Sequence, residues 1–342
     1  MRAWMFQIGQ RYDQSRTTEA TYENCLEEAV LAESLGFNGV WAAEHHFSNY
    51  AIFPNPLLYL AGLARETSTL RLGTMAVVLP MHNPIRVAEE GAMVDQLSGG
   101  RLEIGLARGY TPFEYKNLGA DFADTQTLMD EGVEILQKYW ANDDVEHHGK
   151  HWDIDQLTIV PRPRQAAPPI WYACGSGSSI EKAFVGGMNP IQSQGIQPMS
   201  AVQSFSATLH EKAAELQVPA DKVRYGLQTP ARLTSSAADQ ERAGEQVRWM
   251  YKLAGSFGTG RQVREGGYVT ETGEVPNTDR PAAELTQANL IGSESKILET
   301  VAQYKEYGVT DLSLNFEFGD ITSSERRESM HAFAEILDLK NA

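Results

Sequence analysis

The stretch GVWAAEHHF, residues 39–47, starts as an apolar run and finishes in a carboxylate, two imidazoles and an aromatic ring. An apolar segment this short, stopping at Glu44, His45 and His46, reads as a buried strand whose last residues emerge into a polar pocket. In a ring of parallel strands enclosed by helices, chemistry gathers at strand ends of this kind. Along a strand, positions 44 and 46 share one face and 45 takes the other. The two imidazoles therefore do not address one ligand together unless the strand kinks. The same residues also read as polar groups satisfying hydrogen bonds at a barrel mouth.

Outward from this stretch the chain alternates. Upstream, residues 3–9 are a first apolar run. Residues 18–35 then place Tyr22, Cys25, Leu26, Ala29, Val30 and Leu35 at helical spacing, closed by Gly36. Downstream come a helix to about Thr67, the run LRLGTMAVVLP (70–80), a helix over 84–97 opened by Pro84, and LEIGLARG (102–109). Further strands are expected at 169–175, 190–195, 223–233 and 311–318. Helices are expected at 125–141, 180–185, 200–216, 238–253, 294–307 and 323–339. Eight strands alternating with helices is the count of an α/β fold, the (β/α)8 TIM barrel. AESLGFNGVWAAEHHF (32–47) and QYKEYGVTDLSLNFEF (303–318) repeat one arrangement of helix end, glycine and strand. A doubly wound sheet is the rival; it asks for a glycine-rich loop after the first strand, where QIGQRYD stands. Residues 1–342 are read as one domain with three interruptions. These fall at about 110–125, at 143–168 as a hairpin after the fourth unit, and at 255–290 as a mobile Gly-rich loop before the eighth strand.

Composition narrows the partners. A chain that is 42% hydrophobic and 22% charged builds a substantial core. A formal charge of −16 repels polyphosphate and anionic lipid, so neither nucleic acid nor membrane is an expected partner. The N-terminus carries no secretion signal and no apolar run is long enough to span a bilayer, which points to the cytoplasm. Two cysteines, Cys25 and Cys174, make neither a disulfide framework nor a metal finger. His147, His148 and His151 cluster in the hairpin with Gly149 between them and no nearby cysteine, and no metal is expected.

Two further clusters fall at strand ends. Arg108 closes the fourth strand, where a guanidinium either grips phosphate or carboxylate or serves a structural ion pair. GSGSS, residues 175–179, turns the fifth strand into a helix. Its glycines allow close approach, and its serines and helix-start N–H groups form a phosphate cradle, or simply an N-cap. Neighbouring strands four and five would bring Arg108 and this turn to one edge of the mouth.

Taken in order, EHHF (44–47), NP (55–56), GTMAVVLP (73–80), NPIRVAEE (83–90), DQLSGGR (95–101) and GLARG (105–109) resemble the bacterial luciferase-like, flavin-dependent monooxygenases. The likeness is to the luciferase α-type chain more than to the deazaflavin-dependent branch. It implies a (β/α)8 barrel binding FMN as FMNH2, supplied by a separate NAD(P)H:flavin reductase. O2 would be activated as a flavin C4a-hydroperoxide that oxygenates an aldehyde, a ketone or an electron-rich ring. His45 matches the family's active-site histidine, and Arg108, Ser176, Ser179 and the backbone of Gly175 match its phosphate site. Met75–Ala76 matches a non-prolyl cis peptide under the flavin ring, and 255–290 matches a lid. Glu44, His46, Tyr110 and Gln194 are candidate substrate-pocket residues, and a homodimer is expected. Ala107, Gly175 and Gln194 replace a cysteine, a glutamate and a tryptophan of the family, so light emission is not implied. The alternatives are a deazaflavin-dependent dehydrogenase and a non-catalytic flavin-binding subunit.

Overall fold

Eight parallel strands close into a ring in the computed structural model, which describes residues 1–12, 14–260 and 263–341. They are β1 (Arg2–Gln7), β2 (Gly39–Ala42), β3 (Arg71–Thr74), β4 (Leu102–Ala107), β5 (Ile170–Ala173), β6 (Asn189–Ser193), β7 (Gly226–Leu233) and β8 (Asp311–Asn315). Each pairs with its neighbours in the chain, and the register Arg2↔Asp311 to Phe6↔Asn315 joins β8 to β1. Spatial order therefore equals chain order, the arrangement of a TIM barrel. Local signals set the helix limits. Thr17 caps Thr18–Leu35, and Gly36 ends it at φ 91°. Asn83 caps Pro84–Ser98 by accepting from the N–H of Ile85.

Alternation along the strands sorts side chains into two cores. Met5, Val40, Leu72, Ile104 and Leu312 face the helices, whereas Trp4, Trp41 and Trp171 fill the lumen with Ile191. Trp4 and Trp41 stack at 4.2 Å, and Trp171 meets Trp41 edge-on at 5.6 Å. Beneath them Glu103 binds Arg2 (3.0 Å), Arg71 (2.5 Å) and the Trp171 indole N–H (2.7 Å). Asp311 accepts from Arg2 (2.6 Å), Arg224 (2.8 Å) and the Trp4 indole N–H (3.0 Å). Both buried carboxylates are thus fully engaged, the condition under which buried charge is tolerated.

Glycine makes room for these rings. A methyl group at Gly73 would lie 2.1 Å from the Trp41 ring, which Trp4 and Trp171 prevent from retreating. Gly73→Ala is expected to destabilise the fold by about 1–3 kcal/mol. Urea unfolding measures this, and an unchanged midpoint would mean that the indole layer yields freely.

The structure departs from the sequence expectations in places. LRLGTMAVVLP divides into β3 and a short strand, Val77–Val78, and the Met75–Ala76 bond between them is cis, as the family resemblance implies. Residues 110–125 contain a helix, Pro112–Leu118, and a single turn, Phe122–Asp124. Within 143–168, read from the sequence as a hairpin, Val145–His148 does pair antiparallel with Asp153–Leu157. The largest difference lies in 255–290. The helix expected to stop at 253 runs over Ala237–Thr259, followed by an antiparallel hairpin (Val263–Glu265 with Tyr268–Glu271), a short helix Ala282–Leu285, and a strand Leu290–Gly292 beside β7. Among the glycines of this segment, Gly260, Gly266 and Gly267 take positive φ with open space around them, whereas Gly255, like Gly244 within the helix, is a close-packing point. A methyl at Gly244 would lie 2.4 Å from Ala282, and one at Gly255 would lie 2.4 Å from Val275. Among the described residues, no helix is long and apolar enough to cross a membrane.

Candidate active site

At the carboxyl end of β2 the alternation continues past the strand. Gly39 and Trp41 face the lumen, Ala43 packs with Ile8 and Ala51 above them, and His45 follows on the same side. His45 Nδ1 lies 3.1 Å from Glu114 Oε1, which also accepts the N–H of His46 at 2.8 Å. Glu114 is 2% exposed in the first turn of the helix Pro112–Leu118. A carboxylate at Glu114 only accepts, so Nδ1 is the nitrogen that donates to it, and a neutral ring then presents its lone pair at Nε2. Among the described residues Nε2 has no hydrogen-bond partner. The imidazole is walled by Tyr50 (4.8 Å between ring centroids), Tyr110 (5.6 Å) and Phe257 (6.4 Å).

Glu44 and His46, read from the sequence as pocket residues, turn to the other face and are buried there. Glu44 Oε1 lies 3.0 Å from His46 Nε2 and 2.7 Å from His82 Nε2, and Oε2 accepts the N–H of Val78 at 2.9 Å. Burial alone would raise the Glu44 pKa, but the hydrogen bonds from both imidazoles and from Val78 outweigh it and hold the group at about 2. Burial likewise disfavours the charged form of His82, but the Glu44 carboxylate reverses this and raises its pKa. The cluster fixes the chain just after the Met75–Ala76 bond. Gln194 is also spent internally: its amide bonds Thr229, Asn289 and the carbonyl of Gln197. Tyr110, by contrast, is well exposed beside His45.

A second cluster forms where β5 passes into the helix Gly177–Val185. Ser176 is its N-cap, with a capping box in which Ser179 Oγ takes the N–H of Ser176 (3.0 Å) and of Gly175 (3.1 Å). The N–H groups of Gly177 and Ser178 have no acceptor within the helix. A methyl at Gly175 would meet nothing within 4 Å, so the turn is open to a ligand. The pair Leu106↔Tyr172 places Arg108, two residues on, level with Cys174 and beside this turn. The exposed Arg108 guanidinium has no hydrogen bond or ion pair among the described residues. A phosphate group fits these residues: a free guanidinium, a helix N-terminus and an unobstructed glycine. Cys174, adjacent, is buried, and that burial pushes its thiol up to about 12.

The hairpin of 263–271 reaches over the loops that follow β1, β2 and β4. Val269 donates to Asn49 Oδ1 at 3.1 Å, Arg11 lies over the Tyr268 ring at 5.0 Å, and Arg264 lies over Phe113 at 3.4 Å. The three hairpin histidines named in the sequence go to separate partners: Glu131 for His147, Asp153 for His148 and Thr127 for His151. Sequence reasoning passed over Glu114, Tyr50, His82 and Phe257. The one local signal for Glu114 was an acid in the first turn after Thr111-Pro112, a helix start inside a stretch read as irregular.

The chain matches the family description luciferase-like monooxygenase over residues 1–311. It is 28% identical over 340 residues to the oxygenase component of a flavin-dependent trigonelline monooxygenase from Acinetobacter baylyi, covering 96% of this chain and 92% of that one. The crystal structure of monooxygenase RslO1 from Streptomyces bottropensis superposes with a TM-score of 0.86 at 24% identity over all of both chains. The oxygenating constituent of 3,6-diketocamphane monooxygenase from Pseudomonas putida, a type II Baeyer–Villiger enzyme in complex with FMN, gives a TM-score of 0.77 at 18% identity, covering 98% of this chain and 97% of that one. With the barrel closed and the match running from its first strand into its eighth, the chain belongs to the luciferase-like monooxygenase family and is an oxidoreductase.

Proposed function

We propose that this protein is the oxygenase component of a two-component system, binding FMN in its reduced form and using O2 to oxygenate a small organic substrate. The observation that carries this reading is the carboxylate-held imidazole of His45 on the same barrel mouth as the unpaired Arg108 and the open serine turn. Arg108 and the helix-start N–H groups of Gly177 and Ser178 would hold the phosphate beside Gly175, Ser176 and Ser179, whose capping box would open for their own N–H and hydroxyl groups to reach it, and Met75–Ala76 would lie against the ring. Bound reduced FMN supplies the electrons that activate O2. His45, with Nδ1 committed to Glu114, offers Nε2 to accept a proton and return it. Tyr50, Tyr110 and Phe257 wall the imidazole and would limit the water that reaches that nitrogen. A separate NAD(P)H:flavin reductase as partner agrees with the relative named an oxygenase component. The same reading includes a cytoplasmic homodimer, for which Leu58, Met93 and Leu97 expose apolar side chains on the packed helices Pro56–Glu66 and Pro84–Ser98.

The test compares cofactors and oxygen use. FMN is expected to bind in preference to the deazaflavin, and reductase-supplied FMNH2 is expected to support substrate-dependent O2 consumption across a panel of aldehydes, ketones and phenols. Preference for the deazaflavin, or substrate oxidation without O2 uptake, would overturn the proposal.

A further inference from the structure

We propose that Arg264 is an anion subsite of the substrate pocket and that the substrate is a small aromatic carboxylate; this rests on the oxygenase reading above. The guanidinium carbon of Arg264 stands 3.4 Å from the centre of the Phe113 ring and 5.8 Å from that of Phe257. The Phe257 ring in turn faces His45 at 6.4 Å, with 24° between the planes. One aromatic side chain therefore spans from the cation to the imidazole, and Tyr50 and Tyr110 complete the wall around His45. A flat ring placed along Phe257 would have its reactive edge at His45 and its acidic end at Arg264.

The guanidinium is available for this. Among the described residues the Arg264 guanidinium makes no hydrogen bond and no ion pair. The half-buried arginines of the barrel floor behave differently: Arg2, Arg71 and Arg224 all grip Glu103 or Asp311. Glu114 is the acid that feels the charge of Arg264, but its carboxylate already accepts from His45 and from the backbone of His46. Burial against the two phenylalanines lowers the Arg264 pKa more than Glu114 raises it, the sign of a cation short of a counter-charge. A guanidinium fork with one face on an aromatic ring keeps its edge free for the bidentate pair that a carboxylate makes. In a protein of formal charge −16, an anionic substrate needs such a local attractor.

Calorimetric titration of the FMN-loaded protein with benzoate and nicotinate, each against its uncharged amide, tests the subsite. At least one acid is expected to bind about ten- to a hundredfold more tightly than its amide. Arg264→Gln should erase that preference while leaving FMN affinity unchanged, and Arg264→Lys should retain part of it. Equal affinity for acid and amide, no acid binding to the unsubstituted protein, or a preference surviving Arg264→Gln would each overturn the subsite. Loss of FMN binding by the unsubstituted protein would instead remove the oxygenase reading, so the two failures are separable.

Discussion

Replacing His45 with alanine is expected to lower oxygenated product by about a hundredfold to ten-thousandfold, the range that positioned acid–base groups supply. FMN affinity should not change, because the phosphate cluster follows β4 and β5 whereas His45 follows β2. The size of the effect follows from the geometry. Nδ1 is committed to a buried carboxylate at 3.1 Å, which leaves Nε2 as the nitrogen able to take up a proton inside an aromatic wall. Glu114→Gln should lower kcat less than His45→Ala, with no change in KM for reduced FMN, since the amide removes the charge but keeps the shape. Glu114→Asp should restore part of the loss. Product yield unaffected by His45→Ala would take the imidazole out of the chemistry.

Arg108→Ala should weaken FMN binding by about ten- to a hundredfold, as expected for removing a charge-assisted contact to a phosphate. The guanidinium has no other role among the described residues, so the variant should fold normally, and equilibrium dialysis with FMN reads the effect cleanly. Because the site is exposed, added salt should narrow the gap between variant and parent. A dissociation constant unchanged by the substitution would reject Arg108 as a phosphate ligand.

The ring of strands was legible because each strand is a short apolar run between capped helices, and those caps are local: Thr17, Gly36 and Asn83 act within a few residues of themselves. The opposite facing of His45 and of Glu44 with His46 was legible for the same reason, since alternation is a property of the strand alone. The GSGSS turn declared both its helix and its openness. Glu114 was not legible as a partner of His45, because 69 residues separate them and only the closure of the ring brings the two loops together. Nor was the true end of the long helix at Thr259. Glycine lowers helix propensity, and only the structure shows that Gly244 and Gly255 are paid back by Ala282 and Val275 resting on the bare backbone.

The indole layer and the ion cluster beneath it have a consequence for traffic. With Trp4, Trp41 and Trp171 wholly sealed from solvent and Glu103 and Asp311 tied to three arginines below, the barrel is a blind well. Whatever enters beside His45 must leave by the same doorway, under the hairpin that spans Asn49 and Phe113. On the proposed function, departing product and arriving nucleotide would have no opposite ends of the ring to pass through. Under the proposed function, turnover would become a queue at a single exit, bordered by the hairpin contacts.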